Sequence, residues 1–232
     1  MTMDMSLLER RTKVLGPAYR LFYDRPLHLV RGQGARVWDA DGREYLDAYN
    51  NVPSVGHCHP KVLAALSAQA ALINTHTRYL HETIVDYAEK LVATFPQHLS
   101  QVIFTCTGSE ANDLALRVAR AVTGARGIIV TENAYHGVTS ALAEMSPSLG
   151  ASNPIGAHVR MVPAPDTFRL GVAGAAQAFL DGVQDAVVSL RADGFGVAAL
   201  ICDTVFASDG LFFDPPGFLA PAIAAVRAAG GV

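Results

Sequence analysis

The sequence predicts an α/β protein, with a mainly parallel sheet covered by helices on both faces and a small N-terminal α+β appendage. Two observations carry this. From residue 60 onward, short apolar β-rich runs alternate with longer segments of helical periodicity, the pattern of a parallel sheet with crossover helices. Before that, residues up to about 50 hold a short helical stretch and a hairpin signal but no such alternation. The expected domains are therefore 1–55 and 56–232.

In order, a short helix is expected near Ser6–Leu15, followed by β-rich material with turns at Arg31–Gly34 and Asp39–Gly42. The alternation through Ala35–Trp38 and Tyr45–Leu46 around Asp41-Gly42 predicts a hairpin. Pro60 suits the first turn of a helix running to about Ile73. A second helix is expected over Glu82–Thr94, with Ile84, Tyr87, Ala88 and Leu91 on one face. Strands are expected at Val102–Thr105, Gly127–Thr131, Val159–Val162 and Val197–Cys202. Helices are expected near Ala111–Val122, Val172–Arg191 and Leu219–Ala229, and Val232 reads as the opening of another strand.

Composition narrows the class. Half of the 232 residues are hydrophobic, 17% are charged and the net charge is −3, which fits a large buried core and gives no basic footprint for nucleic acid. Cys58, Cys106 and Cys202 form an odd, sparse set, read as reduced thiols of a cytoplasmic protein. Met1–Arg11 lacks the apolar run of a signal peptide, and no segment reads as a membrane span.

The stretch richest in chemistry is Phe104–Asn112, between a strand and a helix. It places Gly108 and Ser109 at a helix N-terminus, where free N–H groups and the helix dipole favour an anion. Gly108 allows close approach to the backbone and Ser109 adds a hydroxyl donor, so the loop reads as a phosphate cup. The plainer alternative is an ordinary cap, with Ser109 and Asn112 as an imperfect capping box. Gly32-Gln33-Gly34 is not a dinucleotide loop, since no helix follows it. His57-Cys58-His59 lacks a second cluster to complete a metal site. Ser140, Ser146 and Ser148 lack the glycine frame of a hydrolase nucleophile.

Four motifs occur in a family order: Gly34–Asp39 with Gly42, Gly56–Pro60, Thr107–Asn112, and Ala134-Tyr135-His136-Gly137. Together they resemble the class III aminotransferases, pyridoxal-phosphate (PLP) enzymes of the fold-type I group. Asn50–Val52 and Asn74–His81 further resemble a branch holding alanine–glyoxylate aminotransferases and phospho-lyases. The resemblance implies that residues 1–55 belong to the small domain and 56–232 to the PLP-binding large domain. It implies that Gly108 and Ser109 hold the cofactor phosphate, that Tyr135 stacks on the pyridine ring and that His136 packs beside it. Asn51, Tyr79 and Asp203 become possible substrate-side residues. At Asp203 the family carries Glu, so this chain departs from it by one methylene.

The resemblance also places the Schiff-base lysine and the ring-nitrogen aspartate after residue 232. The three lysines, Lys13, Lys61 and Lys90, lie in positions read as solvated. No catalytic residue is therefore assigned within the chain, which is expected to be a fragment inactive alone. The implied parent is a homodimeric transaminase acting on an amino donor and a keto acid. The alternatives are a phospho-lyase or ammonia-lyase acting on a phosphorylated amine, and a non-catalytic truncated or split-subunit protein.

Overall fold

The computed structural model describes residues 6–50 and 53–232, which part into two units, one up to Tyr87 and one from Ala88. This parting lies inside a helix, later in the chain than the boundary read from the sequence at 55/56.

In the first unit, helix α1 (Leu7–Val14) opens with a capping box. Ser6 Oγ accepts from Glu9 N–H, and the Glu9 carboxylate accepts from Ser6 N–H. Strands β1 (Leu29–Gln33), β2 (Arg36–Asp39) and β3 (Glu44–Leu46) form an antiparallel meander in that order. The turn expected over Arg31–Gly34 is thereby corrected. Arg31–Gln33 is strand, with Arg31 opposite Trp38 and its guanidinium 4.2 Å from that ring's centroid, and the chain reverses at Gly34-Ala35. The second turn stands as read, because Asp39 Oδ1 accepts from both Asp41 N–H and Arg43 N–H. Gly34 exchanges two backbone hydrogen bonds with His57, whose Nε2 lies 2.6 Å from the Asp47 carboxylate. That carboxyl is held far below its usual range by hydrogen bonds from Asn50 and His57. Helices α2 (Pro60–Ala70) and α3 (Glu82–Val92) follow, with Pro60 at the first turn of α2.

The second unit is built on a parallel sheet. Its elements are α4 (Gly108–Thr123), β4 (Ile128–Thr131), α5 (Ser140–Ala143), β5 (Val159–Val162), α6 (Thr167–Ala192), β6 (Ala199–Leu200) and α7 (Ala220–Ala228). The strand order is β5-β4-β6, with Ile128 opposite both Val159 and Ala199. All four residues of β4 are buried, as a central strand with two covered faces requires. Its side chains alternate between two cores. Ile128 and Val130 pack with Leu116 and Ala119 of α4, whereas Ile129 packs with Phe179, Val183 and Leu190 of α6 and Val226 of α7. Helices thus cover both faces.

Two strand expectations change. Val102–Thr105 is not a strand: among the described residues the sheet of this unit consists of β4, β5 and β6. The run expected over Val197–Cys202 is strand only at Ala199–Leu200, although Ala198 N–H to Gly127 O and Ile201 N–H to Ile129 O continue the ladder. Val232 is not a strand residue, although it exchanges hydrogen bonds with Ala198 and Leu200. Helix α6 starts earlier than expected and carries a kink at Gly171. No helix among the described residues is long and apolar enough to cross a membrane.

Candidate functional site

The cup begins with a cap other than the expected one. Thr107, not Ser109, is the N-cap of α4: its Oγ1 accepts from Glu110 N–H at 3.1 Å, and the Glu110 carboxylate reaches back to Cys106 N–H at 2.7 Å. The N–H groups of Gly108 and Ser109 find no acceptor among the described residues. The position a Gly108 Cβ would occupy is open space. Two unpaired donors at the positive end of a 16-residue helix therefore face an approachable surface.

With Thr107 as cap, Ser109 and Asn112 are released for a second task. Both hold the turn that follows β4. Ser109 Oγ accepts from Val138 N–H at 3.2 Å, and Asn112 Nδ2 donates to His136 O at 2.8 Å. The Ser109 hydroxyl proton stays available to a ligand. On its far side the turn is fixed by Ser146 Oγ, which accepts from His136 N–H at 2.9 Å and donates to Leu142 O at 2.8 Å. Gly137 passes so close to α4 that a Cβ there would lie 2.6 Å from Ser109 Oγ.

This turn displays two rings in opposite settings. Tyr135 is 53% exposed, so much of its ring is available for stacking, while His136 is 8% exposed and its Nε2 has no hydrogen-bond partner. Burial pushes the His136 pKa below its ordinary value, against the pull of Asp203, Asp209 and the Ile201 carbonyl. The same two aspartates, after burial, push the neighbouring Cys202 thiol up to about 11, so it stays protonated. Asp203, just beyond β6, spends its carboxylate on Val205 N–H and Ala207 N–H at 2.8 and 2.7 Å.

The structure therefore gathers Gly108, Ser109, Tyr135, His136 and Asp203 around the C-terminal strand ends of one unit. Tyr79 belongs to the first unit, where it stacks on His76 with ring centroids 5.2 Å apart. Asn51 lies outside the described residues. Lys13, Lys61 and Lys90 are exposed, and no group of His, Cys, Asp and Glu among the described residues could hold a metal ion. The sequence reading misses Asp209, and also the Thr107–Glu110 spacing that marks the cap. The latter is legible as Thr-x-x-Glu before an apolar-periodic run.

The family model described as Aminotransferase class-III matches residues 22–229. The chain belongs to this family. Among its curated relatives, the alanine–glyoxylate aminotransferase 2-like protein of Drosophila melanogaster is 37% identical over 97% of this chain and 48% of the relative. A phospholyase from Arthrobacter, solved in complex with phosphoethanolamine, is 43% identical with a TM-score of 0.91, covering 98% of this chain and 55% of that one. A taurine:2-oxoglutarate aminotransferase from Bifidobacterium kashiwanohense, solved with PLP and glutamate, shares the fold. Its TM-score is 0.78 at 22% identity, over 100% of this chain and 55% of that one. The chain spans about half the length of the curated relatives it matches.

Proposed function

We propose that this class III chain supplies the phosphate-binding and ring-binding part of a PLP-dependent transaminase, which moves an amino group from an amine or amino acid to a keto acid. One observation carries the reading. The helix end with two unpaired N–H groups is fastened to the turn bearing Tyr135 and His136 through Ser109 and Asn112. An anion subsite and an aromatic platform are thus held together, as a phosphorylated planar ring requires. Class III membership supports the same cofactor.

The residues fit the group. Gly108 and Ser109 offer backbone N–H donors, the Ser109 hydroxyl offers a third, and the open space at Gly108 lets a phosphate reach the backbone. Tyr135 offers an exposed face for the ring, and the unpartnered His136 Nε2 offers a polar contact at its edge. When bound, PLP supplies an electron sink for carbanion chemistry next to the substrate nitrogen. The chain's own part is to hold phosphate and ring rigidly, so that the reacting bond keeps one orientation. Asp203, by its place after β6, is assigned to the substrate side. Lys13, Lys61 and Lys90 are exposed, and none of them is assigned as the amine that tethers the cofactor. The working form is assigned as a cytoplasmic homodimer, on the family resemblance and the three free cysteines.

A second reading is elimination from a phosphorylated amine, favoured by the 43% identity to the Arthrobacter phospholyase. Product analysis on the full-length protein separates the two. Transamination forms a new amino acid only when a keto acid is added, whereas elimination releases phosphate and ammonia without an acceptor. For the 232-residue chain alone the expectation is reversible PLP binding without turnover. Cofactor absorbance that survives dialysis, and is lost on substitution of one of the three lysines, would refute that assignment.

A further inference from the structure

We propose that Asp209 is a positioning residue for the PLP ring: it fixes the turn carrying Tyr135 and His136 from below, through two hydrogen bonds to the end of β4. The proposal rests on the PLP reading above and names a residue that neither the sequence motifs nor that reading uses. Asp209 Oδ2 accepts from Thr131 Oγ1 at 2.7 Å, and Oδ1 accepts from Asn133 N–H at 3.2 Å. Thr131 is the last residue of β4 and is 2% exposed, so one carboxylate clasps the strand end and the first step of the turn. Asn112 and Ser146 hold the turn at His136, and Ser109 holds it at Val138. Asp209 is the anchor on the entering side. It also places a negative charge where the buried His136 ring feels it.

The loop that delivers Asp209 is itself held in a costly conformation. Phe206 has φ 54° and is fully buried, packed edge-to-face on Phe179 with centroids 5.8 Å apart. A bulky residue in the left-handed region persists only where packing over-determines it. The Phe206 carbonyl accepts from the N–H groups of Asp209, Gly210 and Leu211, so the aromatic core sets the height of the Asp209 carboxylate. A loop made only to connect β6 to α7 would not need this arrangement.

The test uses the full-length protein and measures PLP affinity by equilibrium dialysis, with thermal melting in parallel. Asp209→Ala removes both hydrogen bonds. Asp209→Asn retains an acceptor for Asn133 N–H and gains a donor for Thr131 Oγ1. Leu190→Ala is a control that loosens the core beside Gly127, at the opposite end of β4 from the clasp. The expected result is a loss of at least about tenfold in PLP affinity for Asp209→Ala, the scale of hydrogen bonds to a charged group. Asp209→Asn should recover most of that loss. Leu190→Ala, at equal or lower melting temperature, should lose less than Asp209→Ala. Equal affinity in Asp209→Ala and the unsubstituted protein, or a loss matched by Leu190→Ala at the same melting temperature, would overturn the proposal. Failure of the unsubstituted protein to bind PLP would instead sink the cofactor reading on which it stands.

Discussion

Gly137→Ala is expected to damage the fold and the candidate site together, by an amount the geometry lets one work out. Gly137 has φ 134°, a region costing an L side chain about 1–3 kcal/mol. The new methyl carbon would sit 2.6 Å from Ser109 Oγ, 2.8 Å from Leu142 Cδ1 and 3.1 Å from Ser109 Cα. Leu142 is fully buried and the Ser109 Cα belongs to a helix backbone, so neither can withdraw cheaply. Overpacking of this kind adds about 1–3 kcal/mol. The sum, about 2–6 kcal/mol, is a large share of a domain's usual ~5–15 kcal/mol. Relief comes most easily by moving the turn away from α4, which breaks the Val138 N–H to Ser109 Oγ bond and carries Tyr135 off the cup. Urea unfolding followed by far-ultraviolet circular dichroism measures the first effect and PLP dialysis the second. Gly124→Ala serves as reference, since Gly124 has φ 66° but open space around the missing Cβ, leaving backbone strain as its only penalty. If Gly137→Ala unfolds at the same urea concentration as Gly124→Ala and binds PLP normally, the close approach of turn and helix is not what joins them.

The cup makes a prediction of opposite sign for stability and binding. Gly108→Ala meets open space at the first position of α4, so stability should rise by about 0.5–1 kcal/mol while PLP affinity falls, because the methyl occupies the approach to the backbone; unchanged affinity would remove the phosphate from this end of the helix. A third prediction concerns acid. His158 is 7% exposed, and its pKa is lowered first by burial and then by Arg120, whose Nη2 lies 3.1 Å from Nε2. Its unfolded value is near 6.5, so as pH falls through about that point the unfolded state takes up the proton first. Stability should therefore decline below roughly pH 6.5 and be flat in this respect above pH 7. Burial makes His136 contribute with the same sign. His158→Gln should flatten part of the slope below pH 6.5; a slope that does not change, or stability that grows on acidification, would show that His158 is not buried as a neutral ring.

Much of this architecture is legible in the amino-acid sequence, and the reasons are specific. Ile128–Thr131 reads as a strand because a buried parallel strand is a near-continuous apolar run, and Val159–Val162, interrupted by Arg160, reads as one by its place in the β-α alternation. The helix after Gly108 reads as one because Leu114, Val118 and Val122 keep a four-residue spacing. Val102–Thr105 has the same composition as a strand, but a strand is a pairing, and composition does not report whether a partner lies alongside. Arg31–Gln33 reads as a turn because glycine marks turns, yet the cross-strand Arg31–Trp38 contact outweighs that local preference. At the site, Gly108, Ser109, Tyr135 and His136 are marked by motif. Asp209 is not, since its meaning lies in Thr131, 78 residues away in sequence. Tertiary pairing at that distance leaves no local trace.

That separation has a consequence for biosynthesis. The cup and the ring turn leave the ribosome early, but the clasp beneath the turn needs Asp209, and the sheet beneath the clasp needs β6 to settle beside β4. At elongation rates of roughly 5–20 residues per second, those 78 residues represent several seconds in which Tyr135 hangs from an unfinished strand. On the cofactor reading proposed above, a nascent chain would present the Gly108 and Ser109 N–H groups before the Tyr135 turn is clasped, and cofactor loading would follow assembly of the sheet.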